Sequence, residues 1–407
     1  MQRNFLFLQG CTCPFFSALG RRLRERGHGV ARVNFNVGDM LMWWAGRSWN
    51  FRESAEEFGV FLNQLVERHG FTDIVMLGDT RPLHEVAISV ASAYNLNSHV
   101  VEEGYFRPNW LTLERGGING NSRLPRDPEW YRDIDGRVPV ELPVESVSNS
   151  IRLLAAWELA YHLPNILNPL LFPGYRTHRP VISPVEFAGW GLRFSRMPYY
   201  EWRDRQLIDT LLTQKHHFFL FPLQLDSDSQ ITHHSPFSCI EDAIRLVMRS
   251  FAYHAHEQVR LVIKNHPLDT GLVDYGRIVR RIAAEYSFED RCHYLESGRL
   301  DDLIPHAAGV VTINSTVGMA ALEIDCPVFV LGRAVYAIKG LAADEDLDTF
   351  WRYPQFPDSN LYRSFKRVVL FTTQVNGGFY SLRGCQLAVN NALRFLEPEC
   401  SPLEQFL

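Results

Sequence analysis

Apolar residues in this chain fall in short runs whose spacing switches between two and about 3.6 residues. The first run, NFLFLQG at 4–10, ends in glycine and reads as a strand. PFFSALGRRLRERG then sets Phe15, Phe16, Leu19 and Leu23 on one helical face and its arginines on the other. The pattern continues as strand (HGVARVNFN), helix (53–70), strand (TDIVMLGD), helix (83–95) and strand (SHVVEEG). Strands alternating with helices predict a parallel sheet with crossover helices. From 104 to 150 the rhythm stops. That segment is rich in Gly, Pro, Asn and Arg and predicts a long loop or lid. A helical stretch at 151–214 leads into a second alternation, with strands at HHFFLFPLQ, VRLVIKNH, RCHYLE, GVVTIN and CPVFVLG separated by helical segments. The expected fold class is α/β, with two Rossmann-like domains facing a central cleft. Residues 1–205 form the first domain with the lid and connector, and 206–380 the second; the helix of 381–407 is expected to pack back on the first.

Composition narrows the class. With 407 residues, 46% apolar and 13% aromatic, the chain can build more than one core. Its 41 basic and 46 acidic residues leave a net charge of −5, which argues against a disordered chain and against nucleic acid as a partner. The cysteines at 11, 13, 239, 292, 326, 385 and 400 are odd in number and scattered, unlike a secreted disulfide framework. Cys11-Thr12-Cys13 lacks the second ligand pair of a zinc site and reads as buried or incidental thiols. Gln9 and Gly10 cut the first apolar run short, so no signal segment is expected. The apolar stretch 151–172 carries Arg152, Glu158, His162 and Pro164, and reads as a buried helix pair instead of a membrane span. A cytoplasmic protein is expected.

In open parallel sheets, ligands bind beyond the carboxyl ends of the strands. In the second half those ends carry Lys264-Asn265-His266-Pro267, Asn314-Ser315-Thr316-Val317-Gly318 and Gln224-Leu225-Asp226-Ser227-Asp228-Ser229-Gln230. Ser315 and Thr316 at a helix start can offer hydroxyls and backbone N–H groups to an anion; the alternative is that Ser315 only caps the helix. His266, held extended before Pro267, can donate to a phosphate with Lys264 as a nearby charge. The alternative is a buried ring bonded to a backbone carbonyl. Together these pieces favour a phosphate site. Asp226 and Asp228 offer carboxylates for nucleophilic or base chemistry at a sugar carbon, or form a solvated turn. His233 follows them, without the spacing of a metal site. In the first half, Asn36, Asp39, Arg81, Glu103 and Arg107 stand at strand ends near Trp43, Trp44 and Trp110, which suits a carbohydrate. Arg81 and Arg107 fit a sugar carboxylate.

The pieces FLQGCTCPFF, VNFNVGD, EEGYFRPNWLTLERGGINGNS, PLQLDSDSQI, IKNHPLD, INSTVGMAAL and RAVYAIKGL, in this order over most of the chain, resemble the bacterial capsular polysaccharide β-Kdo transferases of the single-module type. Kdo is 3-deoxy-D-manno-oct-2-ulosonic acid, supplied as CMP-Kdo. The resemblance implies a GT-B arrangement with the donor in the C-terminal half. It implies that His266, Ser315 and Thr316, helped by Lys264 and Asn314, bind the CMP phosphate without a metal or other cofactor. It further implies retention through a covalent intermediate on Asp228, with Asp226 as second choice and His233 or Glu103 as base. Gly10, Asn36, Asp39, Arg81, Arg107, Asn119, Gln224 and Gln230 fall on the sugar and acceptor side. The implied acceptor is lipid-linked, a glycolipid of phosphatidylglycerol type, with other capsule assembly proteins as partners and a peripheral seat at the inner membrane. Another GT-B sugar-nucleotide enzyme (a different CMP-sugar transferase or an epimerase), or a non-catalytic scaffold of capsule export, are the competing readings. Cys11 and Cys13 depart from the small or proline residues expected in the first glycine loop.

Overall fold

The computed structural model describes residues 2–140, 142–177, 183–213, 217–225 and 235–407. Its strands are β1 Asn4–Phe7, β2 Gly29–Asn34, β3 Arg47–Asn50, β4 Asp73–Leu77, β5 Asn97–Glu103, β6 Trp110–Arg115, β7 Phe218–Pro222, β8 Arg260–Lys264, β9 Cys292–Leu295, β10 Gly309–Thr312, β11 Val328–Val330 and β12 Gln374–Asn376. They form two sheets, ordered β12-β6-β5-β4-β1-β2-β3 and β11-β10-β7-β8-β9. The second is parallel throughout. The first is parallel from β3 to β5 and ends in the antiparallel β6 and β12. Both parallel parts have the 3-2-1-4-5 order of a doubly wound half, so the chain is α/β with two Rossmann-like units.

In β1 the period of two is visible directly. Phe5 and Phe7 pack with the helices Phe15–Glu25 and Leu382–Leu396 on one face, while Leu6 and Leu8 pack with Phe58–His69 and Pro82–Ala93 on the other. In the second sheet Phe219, Phe221, Leu261, Ile263 and Val311 share a core with Ile240–His254 and Tyr275–Glu285.

The units differ from the expected domains. One comprises Met1–Leu124, Ile134–His178 and Arg367–Leu407; the other comprises Pro125–Asp133 and Arg179–Lys366. The helix Ser183–Thr213 therefore belongs to the second unit, and the C-terminal stretch to the first. The supposed lid is also corrected. It contains β6, buried along its whole length, and the helix Pro128–Asp135. The turn between them is pinned: Ile118 N and Asn121 Nδ2 donate to Asp79, Asn119 Nδ2 to Glu102, and Ser122 Oγ to Glu114.

A buried polar cluster fastens the C-terminus to the first sheet. Asp73 accepts from Arg3 at 2.9 Å and from His99 at 2.7 Å, while Arg3 and Arg115 donate to the backbone carbonyls of 396, 398 and 399. Burial pushes the His99 imidazolium value down, outweighing Asp73. Burial pushes the Asp73 carboxyl up, but the His99 and Thr72 hydrogen bonds and the Arg3 charge hold it below the usual carboxylate range. Between each folded value and the higher unfolded one, the unfolded chain binds more protons, so stability falls as pH falls. Urea midpoints should therefore drop between pH 7 and pH 5 through His99, and further below pH 4 through Asp73. His99→Gln should flatten the upper limb; a midpoint that rises on acidification would exclude this cluster as the sensor.

Candidate functional site

In the second unit the chain order reverses between β7 and β10, the place where ligands bind in sheets of this kind. Gln224 Nε2 donates to Asn314 Oδ1 at 3.0 Å, and Asn314 N donates back to Gln224 Oε1 at 3.2 Å. Both residues are buried. This reciprocal amide pair fixes the two loops against each other. Next to it, Ser315 N donates to Thr312 Oγ1, and Val317 N donates to Ser315 Oγ at 3.2 Å. The Ser315 hydroxyl thus makes the local turn while its own proton stays available to an acceptor. Tyr336, buried and pushed well up by that burial, donates to the Ser315 carbonyl. A Cβ on Gly318 would collide with the Tyr336 hydroxyl, which is why a glycine stands there. Thr316 is the residue before the short helix Val317–Leu322 and makes no side-chain cap bond.

At the end of β8, Lys264 is 4% exposed, and its Nζ donates to the Asn265 carbonyl at 2.8 Å. Burial and the Arg193 charge lower it to about 8, against the pull of Glu296 and Asp204, so it remains a cation at neutral pH. His266 Nδ1 accepts from Leu268 N at 3.1 Å. In the neutral ring this puts the proton on Nε2, the donor form that a phosphate oxygen needs.

The loops after β8 and β9 are clamped by groups the sequence did not single out. Arg193 donates to the carbonyls of Pro267 and Asp269 at 3.0 and 2.6 Å. Asp204 accepts from the backbone N–H of Glu296 and Ser297, both at 2.8 Å. Asn265 Nδ2 donates to Asp269 and Glu296. Glu296 ends a strand and was within reach of the strand-end rule; Arg193 and Asp204 lie inside a helix and carry no local signal. A cavity of about 1040 Å³ opens here, lined by Lys264, Pro267, Glu296, Arg299 and His306 on one side and Phe194, Met197 and Ile208 on the other. It has the volume and mixed lining of a small-molecule site. His266, Asn314 and Ser315 are not part of its lining. Asp226, Asp228, Gln230 and His233 lie outside the described residues; Leu225 directly precedes them at the carboxyl end of β7.

In the first unit the order reverses between β1 and β4. Gln9 sits there, accepting from Arg81 Nη1 at 3.0 Å and donating to the hydroxyls of Tyr161 and Tyr175. Gly10 is required because a Cβ would lie 2.7 Å from the Phe16 ring. A cavity of about 140 Å³ is lined by Gln9, Arg81, Tyr175 and Arg176. Asn36 and Asp39, expected on the sugar side, have no exposed surface. Arg32 Nη2 donates to Asp39 at 2.6 Å, the Tyr161 hydroxyl also donates to Asp39 at 3.0 Å, and Asn36 Nδ2 donates to the Tyr161 hydroxyl. These groups hold the segment 151–172, so a sugar hydroxyl cannot reach them. Arg107 and Glu103 form an ion pair of 2.7 Å on the surface, and Asn119 is held by Glu102 at 2.7 Å. Among the described residues no cluster of His, Cys, Asp or Glu could hold a metal ion.

Comparison with known proteins bears on this arrangement. Residues 72–380 match the family described as capsule polysaccharide biosynthesis protein. The chain is 34% identical to the capsule polysaccharide export protein KpsS of Escherichia coli over 382 residues, covering 93% of this chain and 97% of that one. It is 33% identical to the capsule polysaccharide modification protein LipB of Neisseria meningitidis serogroup B, covering 93% and 92%. Among solved structures, the β-Kdo 2,7 transferase KpsC of Thermosulfurimonas dismutans is 14% identical, with a TM-score of 0.46 over 97% of this chain and 100% of that chain. The chain belongs to the capsule polysaccharide biosynthesis family.

Proposed function

We propose that this protein is a retaining glycosyltransferase that moves Kdo from CMP-Kdo to a lipid-linked acceptor of phosphatidylglycerol type, working with other capsule assembly proteins. The observation that carries the reading is the switch point of the second unit. There the Gln224–Asn314 pair sets out the Ser315 hydroxyl, and the neighbouring strand end holds the Lys264 cation and His266 with its proton on Nε2. A single nucleotide phosphate needs two or three donors and one cation. In this reading Ser315, His266 and Lys264 are the groups that supply them, and the proposed reaction uses no metal or cofactor. Incubating the protein with CMP-Kdo and a lipid acceptor, followed by mass spectrometry of the lipid, tests the reading. A product carrying another sugar, or none, would replace it with one of the competing readings.

His266→Ala should weaken CMP binding by about 1–3 kcal/mol, roughly 5- to 150-fold, the loss of one hydrogen bond to a charged group. Ser315→Ala should act in the same direction. Unchanged affinity in both variants by calorimetry would move the phosphate elsewhere.

The acceptor reading implies a membrane seat, and the segment 151–172 supports one by being amphipathic in the reverse sense. Three of its polar groups face the protein: Asn165 and Asn168 accept from the backbone N–H of Gly38 and Val37, and Tyr161 is buried. Several of its apolar groups face out, Ile166 79% and Leu170 81% exposed, so it is not the buried helix pair expected from the sequence, although Trp157 and Phe172 pack inward. A face of this kind gains by entering a lipid interface. The basic residues Arg363, Lys366 and Arg367 are a weaker candidate, since Lys366 pairs with Glu323 and Arg367 with Asp135. No described helix is long and apolar enough to cross a membrane. Carbonate should therefore release the protein from membranes, and Ile166→Ser with Leu170→Ser should cut its binding to anionic vesicles more than tenfold. Retention after carbonate would contradict peripheral attachment.

A further inference from the structure

Cys11-Thr12-Cys13, which the proposed reaction leaves unused, occupies the loop after β1 at the switch point of the first sheet. Both cysteines are buried and unbridged. The chain bends at Thr12 and Cys13 and brings the two side chains together. Cys11 Sγ lies 2.9 Å from Cys13 Sγ and 3.5 Å from the Cys13 carbonyl oxygen. A disulfide bond is about 2.05 Å long, so bonding asks the sulfurs to approach by less than about 1 Å.

We infer that Cys11 and Cys13 are a modification site: a thiol pair that a low-molecular-weight disulfide, such as oxidised glutathione, converts to an intramolecular disulfide. The Cys11 thiolate attacks one sulfur of the oxidant and expels a glutathione thiolate, leaving a mixed disulfide on Cys11. Cys13 then gives up its proton to that thiolate and attacks Cys11 Sγ, expelling the second glutathione. Two protein thiols are oxidised and one disulfide is reduced to two thiols.

The order of events follows from the surroundings. Cys11 is 8% exposed and Cys13 2%, so the oxidant meets Cys11 first. Burial pushes the Cys11 thiol up, but the hydrogen bonds from Cys13 and the charge of Arg32 outweigh it and hold the group below the ordinary thiol value. Cys13 is pushed well up by burial and by the hydrogen bond to Cys11, so it does not attack first; its Sγ, 2.9 Å from Cys11 Sγ, makes it the resolving thiol by position. Cys385, the nearby third thiol, is pushed up to about 12 and is a poor nucleophile. Closing the ring would stiffen the loop that holds Gln9 against Arg81 and Thr12 against Glu158.

Incubation of the folded protein with oxidised glutathione, followed by alkylation and peptide mapping, tests the site. The expected product is a peptide containing Cys11 and Cys13 that has lost two hydrogens and regains them with dithiothreitol. Cys13→Ser should instead hold glutathione on Cys11. A bridge from either cysteine to Cys385, no change in the folded protein, or bridging only in urea would each overturn the inference.

Discussion

Asp39→Ala is expected to lower the unfolding free energy by about 3–5 kcal/mol, the range for removing one partner of a buried ion pair. Arg32 is 2% exposed, and its Nη2 donates to Asp39 at 2.6 Å. Without the carboxylate a guanidinium is left in the interior with its charge uncompensated. The same carboxylate accepts from Phe35 N and from Tyr161 OH, so two further donors lose their acceptor. Arg32→Met with Asp39→Leu should recover the part due to the uncompensated charge, while the loss at Phe35 N and Tyr161 OH remains. Urea unfolding of the two variants separates this structural role from the acceptor-side role that the strand-end position suggested. An Asp39→Ala protein with an unchanged midpoint and a raised acceptor KM would restore the latter.

The same residue shows what a sequence can and cannot convey. That Asp39 follows a strand was legible, because the alternation in HGVARVNFN marks β2 and its end. That it is buried was not. The groups that cover it, Tyr161, Asn165 and Asn168, come from a segment more than 120 positions later. The parallel strands β1, β2, β4, β5 and β7–β11 were all readable as apolar runs, since strands covered on both faces are continuously apolar. The strands that escaped are β3, a polar edge strand with its first two residues exposed, and β12, only three residues long, which pairs with β6 across more than 250 positions. β6 itself, WLTLER, was masked by the Gly- and Pro-rich stretches on either side. In the second unit the residues proposed for the phosphate stand at strand ends, the positions that the strand-end rule singles out. The groups that clamp the loops after β8 and β9, Arg193 and Asp204, project from one long helix onto positions far along the chain, and no spacing encodes that meeting.

Asp228→Ala should reduce Kdo transfer by roughly 10³- to 10⁶-fold, the range for losing a covalent nucleophile, while leaving CMP affinity within about twofold. In the proposed reaction an Asp228 oxygen bonds to the ketosidic carbon as the bond from that carbon to the phosphate oxygen breaks, and the electron pair leaves on CMP. The acceptor hydroxyl then displaces the carboxylate and gives its proton to a base. Two inversions amount to retention. In the sequence Asp228 lies three residues after Leu225, and it is the carboxylate that directly precedes Ser-Gln in the motif carrying the resemblance. His233 or Glu103 takes that proton in the proposed reaction; Glu103 pairs with Arg107 at 2.7 Å on the surface. Intact-protein mass spectrometry with CMP-Kdo alone should show a Kdo adduct on the wild type and none on Asp228→Ala. Loss of adduct and turnover in Asp226→Ala, with both kept in Asp228→Ala, would move the nucleophile two residues back. Full turnover in both variants, with no adduct on the wild type, would rule out a covalent route through this loop while leaving the phosphate site at His266 and Ser315 to be judged by its own affinities.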